Sequence, residues 1–247
     1  MTQELRHHPS GPLVLAVTLA AVAGFVDAYV YLHVTHVFVA NMSGNLVHLG
    51  MSAGLAQLAG VVSSAVALLS FVCGIIAATI YHDRQLRRDQ SVRPDVLLAA
   101  EATLLLVLPA VLIGFDAEFS LHPSSASYLV LLLGSFAMGI QTAALRRVGE
   151  IAVATTYGTG SLVRIGEKLV LGARGASRAS DQQRRVTVWV LLIVLLGYVT
   201  GAATSAALGA SPLLLLIPSA VLIATASVTA FTPRRRGLRL RTQEPSD

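Results

Sequence analysis

The sequence predicts an all-α integral membrane protein. Six transmembrane helices form two inverted three-helix repeats, each with a re-entrant or short broken helix after its first span. Three observations carry this reading. Of 247 residues, 54% are hydrophobic and 13% charged, with a mean hydropathy of +0.70, whereas a soluble domain holds about 25% charged residues. The apolar residues gather in blocks of membrane-spanning length. A glycine-bounded motif recurs after the first and after the fourth block.

A helix rises about 1.5 Å per residue and the hydrocarbon layer is about 30 Å thick, so a span needs roughly 20 mainly apolar residues. Residues 12–32, 58–80, 96–115, 126–145, 186–208 and 212–232 qualify, with Asp27 and Glu101 as the formal charges inside them. Pro12, Pro94, Pro123 and Pro212 stand at or just before span starts, where a missing N–H costs little. The first block imitates a signal peptide, with Arg6 ahead of it and Ala21-Val22-Ala23 as a small-residue cleavage site. Its apolar run nevertheless continues to Leu32, so it reads as a span. Residues 1–11 form a cytoplasmic tail and 12–232 a single membrane domain, with repeats 12–115 and 126–232. Residues 233–247, mixing basic and polar side chains, read as a disordered tail held near anionic lipid.

All 18 Lys and Arg residues fall on one side when the loops are numbered alternately: before the first span and after the second, fourth and sixth. Basic loops stay cytoplasmic, so both termini are inside, and a seventh or a missing span would break the parity. The net charge of +5 therefore reports loop charge and orientation, and the partner it implies is the bilayer, not nucleic acid. Cys73 stands alone, which excludes an intrachain disulfide or a CxxC site and suggests a small buried apolar residue. Neither HExxH, GxSxG nor a Walker A motif is present, so nothing supports catalysis or a cofactor.

Gly44-Asn45-Leu46-Val47-His48-Leu49-Gly50 matches Gly160-Ser161-Leu162-Val163-Arg164-Ile165-Gly166 at both glycines, the leucine and the valine. Upstream, Val37-Phe38-Val39-Ala40 parallels Ile151-Ala152-Val153-Ala154, and Gly24-Phe25-Val26-Asp27-Ala28 parallels Gly139-Ile140-Gln141-Thr142-Ala143. Three spans separate the copies, an odd number, so the second half enters the membrane upside down. Inverted halves are a recurrent plan of secondary transporters, with the site at the repeat interface near the midplane. Residues 34–57 are too apolar for an ordinary loop yet carry His36, Asn41, Ser43, Asn45 and His48. They read as re-entrant from outside, with 150–172 as the cytoplasmic counterpart. An interfacial amphipathic helix is the alternative, above all for the copy with Arg164, Glu167 and Lys168.

The same residues carry a resemblance. Ala23-Gly24-Phe25-Val26-Asp27-Ala28, Met42-Ser43-Gly44-Asn45, and Gly139-Ile140-Gln141 running through Arg146-Arg147 to Ala154-Thr155-Thr156-Tyr157 and Thr159-Gly160 resemble the YoaK family of bacterial membrane proteins of unknown function. The similarity covers nearly the whole chain outside the tails. Thr142 and Gly158 depart from the family's pattern, where Asn and a branched residue are expected. The resemblance implies a multispanning protein of the bacterial inner (plasma) membrane and no particular activity.

Intramembrane carboxylates are functional hypotheses by default, since a charge at a span centre costs about 2.5 to 3.5 kcal/mol on the mildest scale. By helical rise, Asp27 lies about 7 Å outside its span's centre and Glu101 about 7 Å inside its own. Each is thus expected beside one motif: Asp27 with Asn41, Ser43, Asn45 and His48, and Glu101 with Gln141, Thr155, Thr156, Thr159, Ser161 and Arg164. His48 and Arg164 are the expected partners. The competing reading is structural: each acid satisfies backbone or hydroxyl donors in a packed bundle. Ser43-Gly44-Asn45 and Thr159-Gly160-Ser161 read as N-caps whose free N–H groups face an anion or a solute carboxylate, or as ordinary caps. A metal site from His33, His36 and His48 lacks close-spaced ligands. The leading expectation is a small-solute or ion transporter with its site between the repeats. A non-transporting interaction or scaffold protein is the alternative, and homo-oligomerisation stays open.

Overall fold

The computed structural model describes residues 10–88, 93–115, 124–144, 147–148, 151–152, 158–173 and 178–231. Eight helices follow one another: α1 (Ser10–His33), α2 (Met42–Gly54), α3 (Leu58–Arg87), α4 (Pro94–Gly114), α5 (Ser125–Ala144), α6 (Gly158–Ala173), α7 (Arg178–Leu208) and α8 (Leu216–Phe231), the last entered through a 3₁₀ turn, Pro212–Leu215. Six of the helical segments are long and apolar enough to cross a membrane, and they coincide with the six expected blocks. The two short helices, α2 and α6, fall after the first and fourth of these. The order span, short helix, span, span therefore occurs twice. A two-residue antiparallel pair, β1 (Arg147–Val148) with β2 (Ile151–Ala152), is the departure from an all-helical chain.

Two spans are longer than hydropathy drew them. α3 runs past residue 80 to Arg87, and α7 starts at Arg178, ahead of residue 186. A helix need not stop where the hydrocarbon stops, because its backbone bonds are satisfied internally in either medium. At the polar end of α3, Arg87 Nε bonds Asp83 Oδ2 at 2.7 Å, one turn apart, a pairing that suits an exposed helical face.

The packing interleaves the two parts of the chain. α1 lies along α7, α3 along α5 and α4 along α8, while α2 rests on α3 and α6 on α7. The closest approaches are glycine crossings. A Cβ on Gly24 would overlap the carbonyl oxygen of Tyr198, and one on Gly201 that of Ala21. In the other crossing, a Cβ on Gly139 would overlap the carbonyl oxygen of Phe71, and one on Gly74 that of Phe136. In both crossings the two glycines each cover a backbone carbonyl three residues from the opposite glycine. Without a hydrophobic drive between helices in lipid, such small-residue contact is a main source of association.

The buried core is drawn mostly from α1, the segment that follows it, α4 and α5, including Leu19, Ala23, Val39, Leu98, Leu105, Leu108, Leu131 and Met138. Other large apolar side chains point outward. Leu69, Val72, Ile76 and Ile80 form an exposed stripe on α3, spaced as one helical face. Cys73, expected to be buried, is exposed on that stripe. A hydrocarbon-facing surface accepts a small apolar residue as readily as a core does, so hydropathy cannot separate the two placements.

Candidate functional site

After α1 the chain turns back on itself. Residues 34–41 form no regular element, so their backbone groups need other partners, and Asp27 supplies several. Its Oδ1 accepts from the amides of Val39 at 2.7 Å and Ala40 at 2.6 Å. Its Oδ2 accepts from the amide of Asn41 at 3.0 Å and the phenol of Tyr198 at 2.5 Å. Asp27 stands six residues before the end of α1, about 9 Å along the helix, so the returning segment reaches well below the helix end. Asn45, fully buried, completes the fold-back: its Nδ2 donates to the Phe38 carbonyl at 2.7 Å and its Oδ1 accepts from the Phe38 amide at 2.9 Å. Tyr31 stacks on Phe38 with ring centroids 4.5 Å apart.

The helix cap differs from expectation. Asn41, not Ser43, caps α2: its Oδ1 accepts from the Gly44 amide at 3.3 Å and from the Ser43 hydroxyl at 2.8 Å. Two of the amides expected to face a solute anion are occupied, Gly44's by the Asn41 side chain and Asn45's by the Asn41 carbonyl. Those of Val39, Ala40 and Asn41 already hold an anion, the carboxylate of Asp27, placed just ahead of the N-terminus of α2 where negative charge is favoured.

The structure thus brings Asp27, Asn41, Ser43 and Asn45 together, but not His48. His48 Nδ1 lies 2.8 Å from the Ser64 hydroxyl of α3, and burial, with a smaller contribution from the charge of His36, pushes its pKa below the ordinary histidine value of 6.5. The expected Asp27–His48 pairing is therefore corrected: backbone donors and Tyr198 saturate the carboxylate, and two residues of α2, Leu46 and Val47, separate Asn45 from a histidine turned toward α3. His33 and His36 pack against Tyr29 and Tyr31 instead. Among the described residues, no group of three His, Cys, Asp or Glu is placed to hold a metal ion.

The inner set does not assemble around Glu101. Gln141 is buried, but its Nε2 donates to the Leu19 carbonyl of α1 at 3.0 Å. Thr159 and Ser161 lie in the first turn of α6, with Ser161 buried, while Thr155 and Thr156 lie outside the described residues. Arg164 is exposed. Glu101 is 0% exposed, on a face of α4 with Leu97, Leu98, Ala102 and Leu105, and neither carboxylate oxygen has a hydrogen-bond partner among the described residues. The expected Glu101–Arg164 pairing is thus corrected as well. α6 rests on α7, whereas α4 packs against α5 and α8, so equal depth does not bring the two side chains together.

The two motif copies nonetheless occupy the same place. Gly44 and Gly160 are each the third residue of their short helix. Asn45 and Ser161 are buried, and the next two residues point outward, Leu46 and Val47 at 58% and 62%, Leu162 and Val163 at 61% and 55%. Sequence reasoning missed Tyr198 and Ser64. A tyrosine between Gly197 and Gly201 in an otherwise apolar span was the available signal for the first, and nothing singled out the second.

Six apolar helices of spanning length, with side chains turned outward from a bundle whose core holds buried carboxyls, define a multispanning membrane protein. The chain belongs to the family described as Protein of unknown function (DUF1275), whose model matches residues 15–228. Over 154 residues it is 35% identical to the UPF0700 transmembrane protein YoaK of Bacillus subtilis (strain 168), a match covering 61% of this chain and 64% of that relative's length. The resemblance read from the paired motifs is therefore correct. No solved structure matches.

Proposed function

We propose that the chain is a small-solute or ion transporter of the bacterial inner membrane. It works from a site between two inverted halves, 12–115 and 126–232, with both termini in the cytoplasm. The observation that carries this reading is Glu101, a fully buried carboxyl without a hydrogen-bond partner among the described residues. It sits on a helix of the first half that packs against α5 and α8 of the second. An unsatisfied ionisable group at membrane depth is costly, and such groups mark ion and substrate pathways.

The two glycine crossings support the inversion. An exchange that takes Gly24 to Gly139 and Ala21 to Phe136 moves each by 115 positions, and the same exchange takes Phe71 to Tyr198 and Gly74 to Gly201, each by 127. It maps the α1–α7 contact onto the α5–α3 contact. The third spanning helices of the two halves, α4 and α8, then face each other.

A second reading, a non-transporting interaction or scaffold protein, is favoured by Asp27, whose four hydrogen bonds tie the fold together and leave no acceptor for a ligand. Purified protein in liposomes, challenged with a panel of labelled cations, anions, amino acids and sugars, separates the two. Flux of one class above empty vesicles, lost in Glu101→Gln while the protein stays folded, is the expected result. Absence of flux across the panel favours the scaffold.

A further inference from the structure

The two buried carboxyls of this chain are opposites. Asp27 accepts hydrogen bonds from three amides and one phenol. Glu101 is equally buried and accepts none from the described residues. We infer that Glu101 is a proton-carrying site and that the proton is the ion to which transport is coupled, an inference that rests on the transport reading above.

The surroundings of Glu101 select the proton over a metal cation. Calcium and magnesium take six or more oxygen ligands, and other cations likewise need several donors around them. Of the elements packed against α4, α8 and the 3₁₀ turn have no titratable side chain, and α5 has only Tyr128, in its first turn. On α4 itself the other acid, Asp95, is engaged by Arg93 at 2.9 Å. On α1, Asp27 is fully used by its donors. Among the described residues no His, Cys, Asp or Glu joins Glu101 in a group able to hold a metal ion, whereas a single carboxyl among Leu97, Leu98, Ala102 and Leu105 can hold one proton covalently.

The step balances simply. An O–H bond forms at one Glu101 oxygen, the hydronium ion that supplies the proton becomes water, and no electron changes hands. A neutral carboxyl can be sealed in the packed bundle, whereas the ionised form calls for water or a donor. Proton binding therefore favours the packed arrangement of α4, α5 and α8, and release requires that arrangement to open.

Infrared difference spectra of the full chain in lipid vesicles, taken over a pH ramp from mildly acidic to mildly alkaline, test this directly. A protonated-carboxyl stretch that appears and disappears along the ramp is expected. It should be lost in both Glu101→Gln and Glu101→Leu and kept in Asp27→Asn. The leucine variant fits the apolar surroundings, so loss of the band in a folded protein is attributable to the carboxyl. A band that survives both Glu101 variants, or that does not change along the ramp, overturns the assignment. Where the solute panel yields a substrate, a pH gradient should drive its accumulation in wild type and not in Glu101→Gln, and indifference to the gradient overturns the coupling. A titrating band without flux of any solute removes the transport reading but leaves Glu101 as a proton site. Flux without a titrating band does the reverse.

Discussion

The phenol of Tyr198 donates to Asp27 Oδ2 at 2.5 Å across 171 positions of chain, joining the helix that begins at Arg178 to the one that begins at Ser10. The same carboxylate binds three consecutive amides of the fold-back segment, so one side chain fixes both a helix contact and a loop. Tyr198→Phe removes one of four donors and should cost about 1.5 to 3 kcal/mol, the range for hydrogen bonds to charged groups. Asp27→Ala strands three amides and a phenol and should cost more, with Asp27→Asn between them. Thermal unfolding in detergent measures the order. Equal melting of Tyr198→Phe and wild type would contradict it.

The glycine crossings make a prediction about which glycines matter. Gly24→Val, Gly74→Val, Gly139→Val and Gly201→Val each push a side chain into a facing backbone and should reduce folded yield severely, with overpacking costs of about 1 to 3 kcal/mol or more. Gly50→Ala and Gly166→Ala meet nothing within 4 Å. They lie inside helices, where alanine is the better former by about 1 kcal/mol, and should be neutral or stabilising. Yield of monodisperse protein after extraction reads both groups.

Acid should loosen the contact of α2 with α3. Because the native pKa of His48 lies below the ordinary 6.5, the unfolded chain binds the proton more readily. The contribution of His48 is then complete above that ordinary value and is lost as pH falls through it toward the lower native one. Melting temperature should drop over that window in wild type and drop less in His48→Gln, which cannot charge. An identical pH slope in the two would remove His48 as the cause.

Arg164 is exposed on α6 and Glu101 accepts no hydrogen bond from the described residues, so Arg164→Ala should cost less than the roughly 3 to 5 kcal/mol lost when a buried ion pair is broken. A loss of that size would mean that Glu101 does depend on the guanidinium. The comparison is a chemical melt of the two proteins in the same detergent.

Reporter fusions after Leu121 and after Ala210 should report the outer side, and fusions at either terminus the cytoplasm. The one-sided distribution of 18 basic residues predicts this. A cytoplasmic signal after either internal position would reverse the assignment.

Span number and position were legible because a hydrocarbon layer imposes one length on every helix that crosses it, and the placement of α2 and α6 followed from a motif repeated in the same context. Partnerships were not. Asp27 was singled out by its cost and is buried, and the neighbouring Asn41 and Asn45 do gather with it, but three of its donors are backbone amides, which every residue but proline possesses and no motif reveals. Tyr198 reaches it through a helix contact that depth alone could not specify. Arg164 and Glu101 illustrate the same limit from the other side: equal depth in a bilayer says nothing about which helix stands between two side chains.

The interleaving of α1 with α7 and of α3 with α5 also sets an order of events during biosynthesis. The first helix enters the bilayer with its glycine face and Asp27 ready, while the helix that covers them is translated more than a hundred residues later. α3 waits less, since α5 is the second span to follow it. Until α7 arrives, lipid, an insertase or another part of the nascent chain must shield the α1 face. A ribosome stalled between α5 and α7 would therefore release a fragment with one crossing closed and the other open, a natural substrate for membrane quality control.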